Sequence, residues 1–86
     1  MGDTSYVMTI NLHDIHGIKR FIPIVMQMDS DIDLAIDRYV VDGKSILGVM
    51  SLSVDRNLTL TMHERVKGEF FKLRELMREN GFLVEQ

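Results

Sequence analysis

Two hydrophobic periods alternate along this chain of 86 residues, and their order limits the folds that it can adopt. Apolar and mostly polar residues alternate in residues 6–12, 32–36 and 58–62, which indicates strands with one buried face. A turn after residue 36 predicts a further short strand over residues 39–41. Elsewhere apolar residues recur every three or four positions, which is typical of helices. The order strand, helix, strand, strand, short helix, strand, helix predicts one α+β domain over residues 1–86, with its helices on one face of an antiparallel sheet.

The first predicted helix contains a residue that helices usually exclude. Ile18, Phe21, Ile22 and Val25 fall on one apolar stripe. Pro23 lies within that stripe, where it removes an amide and crowds the preceding turn. We therefore expect this helix to be kinked, short or irregular.

The last predicted helix has the most regular pattern in the chain. Its apolar face consists of Val66, Phe70, Leu73, Leu76 and Met77. Gly81 follows Asn80 where a left-handed C-terminal cap is expected, and Phe82 is placed to fold back on Met77. We expect residues 83–86 to form a mobile tail.

Ser45 is predicted to cap the short helix between the third and fourth strands. It follows the turn-like pair Asp42 and Gly43, so its hydroxyl can accept a hydrogen bond from an amide two or three residues further on. A phosphate on this hydroxyl would bring about −1.5 to −2 charges to the positive end of the helix. The residue is therefore a candidate for a change of surface charge that leaves the fold intact.

The short helix after Ser45 is apolar on more than one side. Leu47 and Met50 share one face, while Ile46 and Val49 occupy another. In a small domain we expect one face to join the core and the other to be open. An open Leu47 and Met50 pair would form an adaptable surface for a protein partner.

Composition excludes several classes of protein. The chain has no cysteine, which rules out disulfides and thiolate zinc sites and agrees with a reducing cytoplasm. His13 and His16 lack further close-set ligands, so no metal is expected. The net charge of −3, without a basic patch interleaved with aromatics, argues against nucleic acid as a partner. Residues 21–26 form the longest apolar run, far below the roughly 20 residues that cross a bilayer.

The beginning of the chain also lacks a basic segment followed by a hydrophobic one, so a secretion signal is not indicated. We expect a cytoplasmic protein that binds other proteins, with no cofactor and no membrane insertion.

Residues 44–52, Lys-Ser-Ile-Leu-Gly-Val-Met-Ser-Leu, closely resemble the regulatory-serine segment of HPr, the histidine phosphocarrier of the bacterial sugar phosphotransferase system. Residues 29–32 resemble the start of that family's second strand. The resemblance implies an open-faced sandwich of four antiparallel strands with three helices on one face. It also implies that Ser45 is phosphorylated by an ATP-dependent HPr kinase. Phosphotransferase enzymes or a transcriptional regulator would then contact the following helix through Ile46, Leu47 and Met50.

The resemblance fails where phosphate carriage would occur. Carriers of this family have histidine, alanine, arginine and proline at the start of the first helix. Counting back from Ser45 without a gap places Asp14 at the histidine position. A two-residue deletion in the first helix instead aligns His16 with the histidine, and residues 17–19, Gly-Ile-Lys, then replace the other three. Neither alignment restores the motif.

Three functions therefore remain open, and none is that of an enzyme. The first is a regulatory protein of HPr type, phosphorylated at Ser45 and without carrier activity. The second is a divergent phosphocarrier that uses His16, with Lys19 or Arg20 placed near the phosphate. The third is a binding module that has lost both phosphorylations. Lys19 and Arg20 are also candidate partner-binding residues, whereas His13 and His63 are expected on the polar side of strands.

Overall fold

The structure is a computed structural model that describes residues 4–85. Its strands are β1 (Thr4–Ile10), β2 (Asp31–Ile36), β3 (Tyr39–Asp42) and β4 (Leu58–Glu64), and its helices are α1 (Ile15–Met26), α2 (Ile46–Met50) and α3 (Glu69–Glu79). The strands form one antiparallel sheet in the order β1, β4, β2, β3. The predicted α+β class and the element order βαββαβα are confirmed.

The core lies between one face of the sheet and the helices. Leu60 of the central strand β4 pairs with Met8 of β1 and with Leu34 of β2, and all three side chains are buried. The helices add the buried residues Ile18, Phe21, Val25, Val49, Leu73 and Met77. The opposite sheet face carries exposed polar residues such as Asp31 and Thr59. This division produces the predicted open-faced sandwich.

α1 runs through Pro23 without a break over 12 residues. Of the kinked, short or irregular helix that was expected, the short form is therefore wrong. Pro23 and Lys19, whose carbonyl loses its usual partner at this proline, are both exposed, so water can bond that carbonyl. Phe21 and Val25 are fully buried and hold the helix against the core on either side of the proline.

α3 ends in the cap that the sequence predicts. Gly81 has a left-handed backbone with φ of 76°, and the Phe82 amide donates to the Met77 carbonyl at 2.9 Å. The Phe82 side chain is fully buried, as its apolar contact in this motif requires. Val66 differs from its prediction, because it lies before α3 and is exposed.

The residues after this cap are tied to β1. Leu83 forms an antiparallel bridge with Ile10, and the Val84 amide donates to the Thr9 carbonyl at 2.9 Å. Glu85 accepts a hydrogen bond from Arg78 at 3.1 Å. The prediction of a mobile tail is wrong for residues 83–85, because the edge of β1 binds residues 83 and 84 and Arg78 binds Glu85. Residue 86 lies outside the described residues.

Candidate functional site

The Ser45 hydroxyl caps α2. Its backbone is extended, with φ of −95° and ψ of 110°, and its Oγ accepts a hydrogen bond from the Gly48 amide at 3.1 Å. The turn before it is fixed by Asp42, whose Oδ1 accepts from the Lys44 amide at 2.9 Å and whose carbonyl accepts from the Ser45 amide at 3.0 Å. Ser45 is half-buried. The predicted cap is present, and it orients the hydroxyl toward the first turn of the helix.

α2 exposes most of its apolar side chains. Leu47 is 79% exposed, and Ile46 and Met50 are each 49% exposed, whereas Val49 is fully buried. We call Ile46, Leu47 and Met50 the α2 patch. Within α2, only Val49 is buried in the core. The α2 patch therefore contains the pair Leu47 and Met50 that was expected to be open, and also Ile46, which was expected on the same face as Val49. Large apolar side chains grouped in this way favour a protein contact.

Gly48 explains how so short a helix fits beside the sheet. A Cβ at this position would stand 3.2 Å from the Val41 Cβ and 3.3 Å from the Ser45 Oγ. Both distances are shorter than ordinary van der Waals contacts. Glycine therefore lets α2 lie close to β3 while the serine keeps its capping position.

Lys44, next to Ser45, is directed away from the α2 patch. Its ammonium donates to the Met28 carbonyl and lies near Glu69. Glu69 accepts hydrogen bonds from the amides of Asp29 at 2.9 Å and Ser30 at 2.8 Å. Burial raises the pKa of Glu69, but the Ser30 hydroxyl, these two amides and the Lys44 charge outweigh it and leave that pKa below its ordinary value. The charged carboxylate thus fixes the chain that enters β2.

Asp14 caps α1. Its Oδ1 accepts hydrogen bonds from the His16 amide at 2.9 Å and the Gly17 amide at 3.2 Å. Asp14 is exposed, and its carboxylate lies where two helix amides converge. A phosphoryl group at the start of α1 would need such amides as donors. Because the carboxylate already uses them and carries a negative charge, this helix terminus is unfavourable for phosphate.

Arg20, one of the residues proposed for phosphate carriage, is bound elsewhere in the fold. His16, Lys19 and Arg20 are exposed on α1, at spacings that place them on one side of the helix. Arg20, however, donates to the Asn80 carbonyl at 3.1 Å, and its guanidinium lies 4.6 Å from the centre of the Phe82 ring. This arginine stabilises the end of α3 rather than facing His16.

His13 lies in the loop between β1 and α1, so its expected place in a strand is wrong. Its backbone is left-handed, with φ of 72°. His13 is the central residue of a tight turn, in which the Asp14 amide donates to the Leu12 carbonyl at 2.8 Å. The Nε2 atom lies 2.9 Å from the Gly81 carbonyl oxygen. Since a carbonyl only accepts, Nε2 carries the proton and the imidazole joins the loop to the α3 cap. Nothing in the local sequence predicts this contact.

His63 lies on the open sheet face, as expected. Its Nε2 donates to Asp33 at 2.9 Å, and its Nδ1 is 3.0 Å from the Ser5 hydroxyl. Serine, histidine and aspartate in this order resemble a hydrolytic triad. The amides of these paired strands lie in the plane of the sheet, so within residues 4–85 they provide no donors above this face for an oxyanion. The three residues link neighbouring strands.

Two further properties limit the kinds of site in residues 4–85. In this range no three His, Asp or Glu side chains are grouped as ligands for a metal ion. The helices of the described chain are also too short or too polar to cross a bilayer.

Sequence comparisons do not place the chain in a family. No family model matches it, and no curated protein is significantly similar to it. Neither result conflicts with the fold, because folds persist at identities that sequence searches do not detect.

Solved structures do resemble it. HPr-C-His from Thermoanaerobacter tengcongensis matches with a TM-score of 0.69 and 25% identity, over 88% of this chain and 92% of that one. The phosphocarrier protein HPr from Bacillus anthracis str. Ames matches with a TM-score of 0.67 and 21% identity, over 87% and 93% of the respective chains. HPr proteins are phosphocarriers and not enzymes. The two TM-scores show that this chain has the fold of these HPr phosphocarrier proteins.

Proposed function

We propose that the protein is a cytoplasmic regulator of HPr type, phosphorylated at Ser45 and recognised by a protein partner at the α2 patch, without histidine carrier activity. Its partners would be an HPr kinase and either a phosphotransferase enzyme or a transcriptional regulator. The exposed α2 patch beside a capping serine is the observation that carries this proposal. Lys19 and Arg20 are proposed to border the contact, since α1 packs against α2.

The chemistry of the two positions supports this function. A phosphate on Ser45 would add about −1.5 to −2 charges one residue away from the α2 patch. Such a charge strengthens binding to a basic partner surface and weakens binding to an apolar or acidic one. Ser45 already points at the first turn of α2, so modification requires no rearrangement of the sheet.

The start of α1 supports the proposal that this protein does not carry phosphate on a histidine. A phosphohistidine requires donors around the phosphoryl group. Here Asp14 holds the amides of His16 and Gly17, and Arg20 is bound to Asn80. His16 would have to accept phosphate beside a carboxylate, which repels it.

Intact-mass spectrometry after two separate incubations tests the proposal. We expect one acid-stable phosphate with ATP and an HPr kinase, and none in the Ser45→Ala variant. We expect no adduct with phosphoenolpyruvate and the general phosphotransferase enzyme. An acid-labile phosphate that disappears in His16→Ala would establish the carrier instead, and no adduct in either reaction would indicate a binding module without phosphorylation.

A matched pair of variants tests the α2 patch. Leu47→Ser removes its most exposed side chain, whereas Phe71→Ser removes an apolar side chain of α3 that is 66% exposed. Calorimetry measures binding of the Ser45-phosphorylated protein to the transcriptional regulator proposed as its partner. Only Leu47→Ser should weaken this binding. Equal effects of both variants would contradict a contact at α2.

A further inference from the structure

The two edges of the sheet differ in whether other backbone segments bond to them. Residues 83 and 84 bond to the edge of β1, whereas β3 pairs with β2 on one side and with no described strand on the other. Exposed on β3 are Tyr39, at 65%, and Val40, at 63%. An edge strand with free backbone groups and exposed apolar side chains is a template for another strand.

The register shows which backbone groups of β3 are free to bond. The Gly43 amide donates to the Ile32 carbonyl at 2.7 Å, which fixes the odd-numbered residues of this segment as those bonded to β2. Alternate residues of an antiparallel strand direct their N–H and C=O to opposite neighbours. Val40 therefore directs both groups outward. Asp42 directs its amide outward, while its carbonyl accepts from Ser45.

The segment around Val40 is complementary in charge to a second copy of itself that runs antiparallel. The segment reads Arg38-Tyr39-Val40-Val41-Asp42, with exposed opposite charges at its two ends. Arg38 is the turn residue immediately before β3, so if two copies pair antiparallel about Val40, the continued register brings Arg38 of each copy beside Asp42 of the other. Parallel pairing would place like charges together. The flanking charges therefore favour one twofold arrangement and oppose the parallel one.

A cavity beside β3 provides room for the second copy. Its volume is about 300 Å³, and Val41, Leu52 and Arg56 are among its lining residues. Val41 faces α2, as its approach to Gly48 shows, so this cavity lies on the helix side of the strand. In the pairing about Val40, the second copy's Tyr39 would lie opposite Val41. Tyr39 also lines the cavity of its own copy, so in the pair each tyrosine ring would border both cavities.

We propose that β3 is a homodimer interface, in which two copies pair antiparallel about Val40 and join their sheets. The contact is short, so the dimer belongs to the weak, concentration-dependent class. It does not depend on Ser45 phosphorylation or on the α2 patch. The exposed Arg38 and Asp42 pairs make its stability decrease with salt.

Sedimentation equilibrium from low micromolar to millimolar protein tests the interface with a charge-exchange design. The unmodified protein should approach twice the monomer mass, whereas Arg38→Glu and Asp42→Lys should each remain monomeric. An equimolar mixture of the two variants should associate again, because every facing pair is then opposite in charge. Lys67→Glu, a charge reversal at another exposed residue, is the control and should associate like the parent.

A second measurement needs no folded Asp42 variant. On dilution of the unmodified protein, the amide resonances of Val40 and Asp42 should shift, while that of Thr9 at the other edge should not. A protein that is monomeric at every concentration overturns the proposal. So does a dimer that Arg38→Glu leaves unchanged, a mixture of variants that fails to associate although both are folded, or a dimer without shifts at Val40.

Discussion

The starts of α1 and α2 use the same backbone arrangement with different side chains. Asp14 and Ser45 are both extended residues whose side-chain oxygen accepts a hydrogen bond from an amide three residues on. Asp14 also accepts from the residue two positions on, and its carboxylate is an anion without any modification. Ser45 is neutral and gains a charge only if it is phosphorylated. Asp14 thus places an anion at the start of α1, whereas the start of α2 would receive one only through a modification of Ser45.

The largest loss of stability is expected when α1 is forced away from the loop that precedes it. In Gly17→Ala the new Cβ would overlap the Leu12 carbonyl oxygen, which is backbone and cannot rotate away. We expect a loss of about 3 kcal/mol or more in the free energy of unfolding, the upper end for overpacking, in urea titrations. Gly48→Ala in α2 is the matched control. It should cost less, because its neighbours are the side chains of Val41 and Ser45.

Removing the charge of Glu69 should destabilise the chain that enters β2, because this carboxylate binds two backbone amides there. Glu69→Gln removes an ionised acceptor from two backbone amides, at an expected cost of about 2 kcal/mol in the free energy of unfolding. The pKa of Glu69 is lowered in the folded protein, so its stabilisation is present above the ordinary carboxyl pKa and is lost as pH falls through the folded value. Thermal unfolding should show a smaller acid sensitivity in Glu69→Gln than in the parent. An unchanged pH profile would contradict this role.

Replacing the α1 cap separates its hydrogen bonds from its charge. Asp14→Ala should cost about 1 to 2 kcal/mol in the free energy of unfolding, because the amides of His16 and Gly17 lose their acceptor. Asp14→Asn keeps an acceptor oxygen and should cost less. If the charge of Asp14 is what prevents carriage, Asp14→Asn should be the variant in which His16 begins to accept phosphate from phosphoenolpyruvate. Mass spectrometry in the presence of the general phosphotransferase enzyme measures this.

The smallest effect is expected at Ser45. Ser45→Ala should lose about 1 kcal/mol in the free energy of unfolding through the lost cap, and the variant should remain folded. Ser45→Thr retains the hydroxyl and is the control. A loss much larger than that of Asp14→Ala would mean that the serine serves packing, and would weaken its interpretation as a regulatory residue.

The sequence predicted those elements whose signals are local. Alternation in β4, the cap at Ser45 and the turn at Gly81 depend on residues only a few positions apart. The continuity of α1 through Pro23 and the attachment of Leu83 depend on the core and on the edge of β1, which no local pattern reveals.

The candidate site was predictable to the same extent. Helical spacing in a small domain predicts that one apolar face of α2 is open, but it does not show that this is the face of Leu47 and Met50, nor that Ile46 is exposed with them. Arg20 was assigned to a phosphate site because of its position near His16, but its partner Asn80 is 60 residues further along the chain. The imidazole of His13 likewise bonds a carbonyl 68 residues away.

Gly17 also decides whether a carrier motif could be restored in this chain. In the ungapped alignment this position receives the proline of the histidine, alanine, arginine and proline motif, and in the gapped alignment it receives the alanine. Both residues carry a Cβ, and the Leu12 carbonyl oxygen occupies the space that this atom needs. Grafting the motif would therefore require the loop to move first, so the four-residue motif itself cannot be restored by substitutions made one at a time.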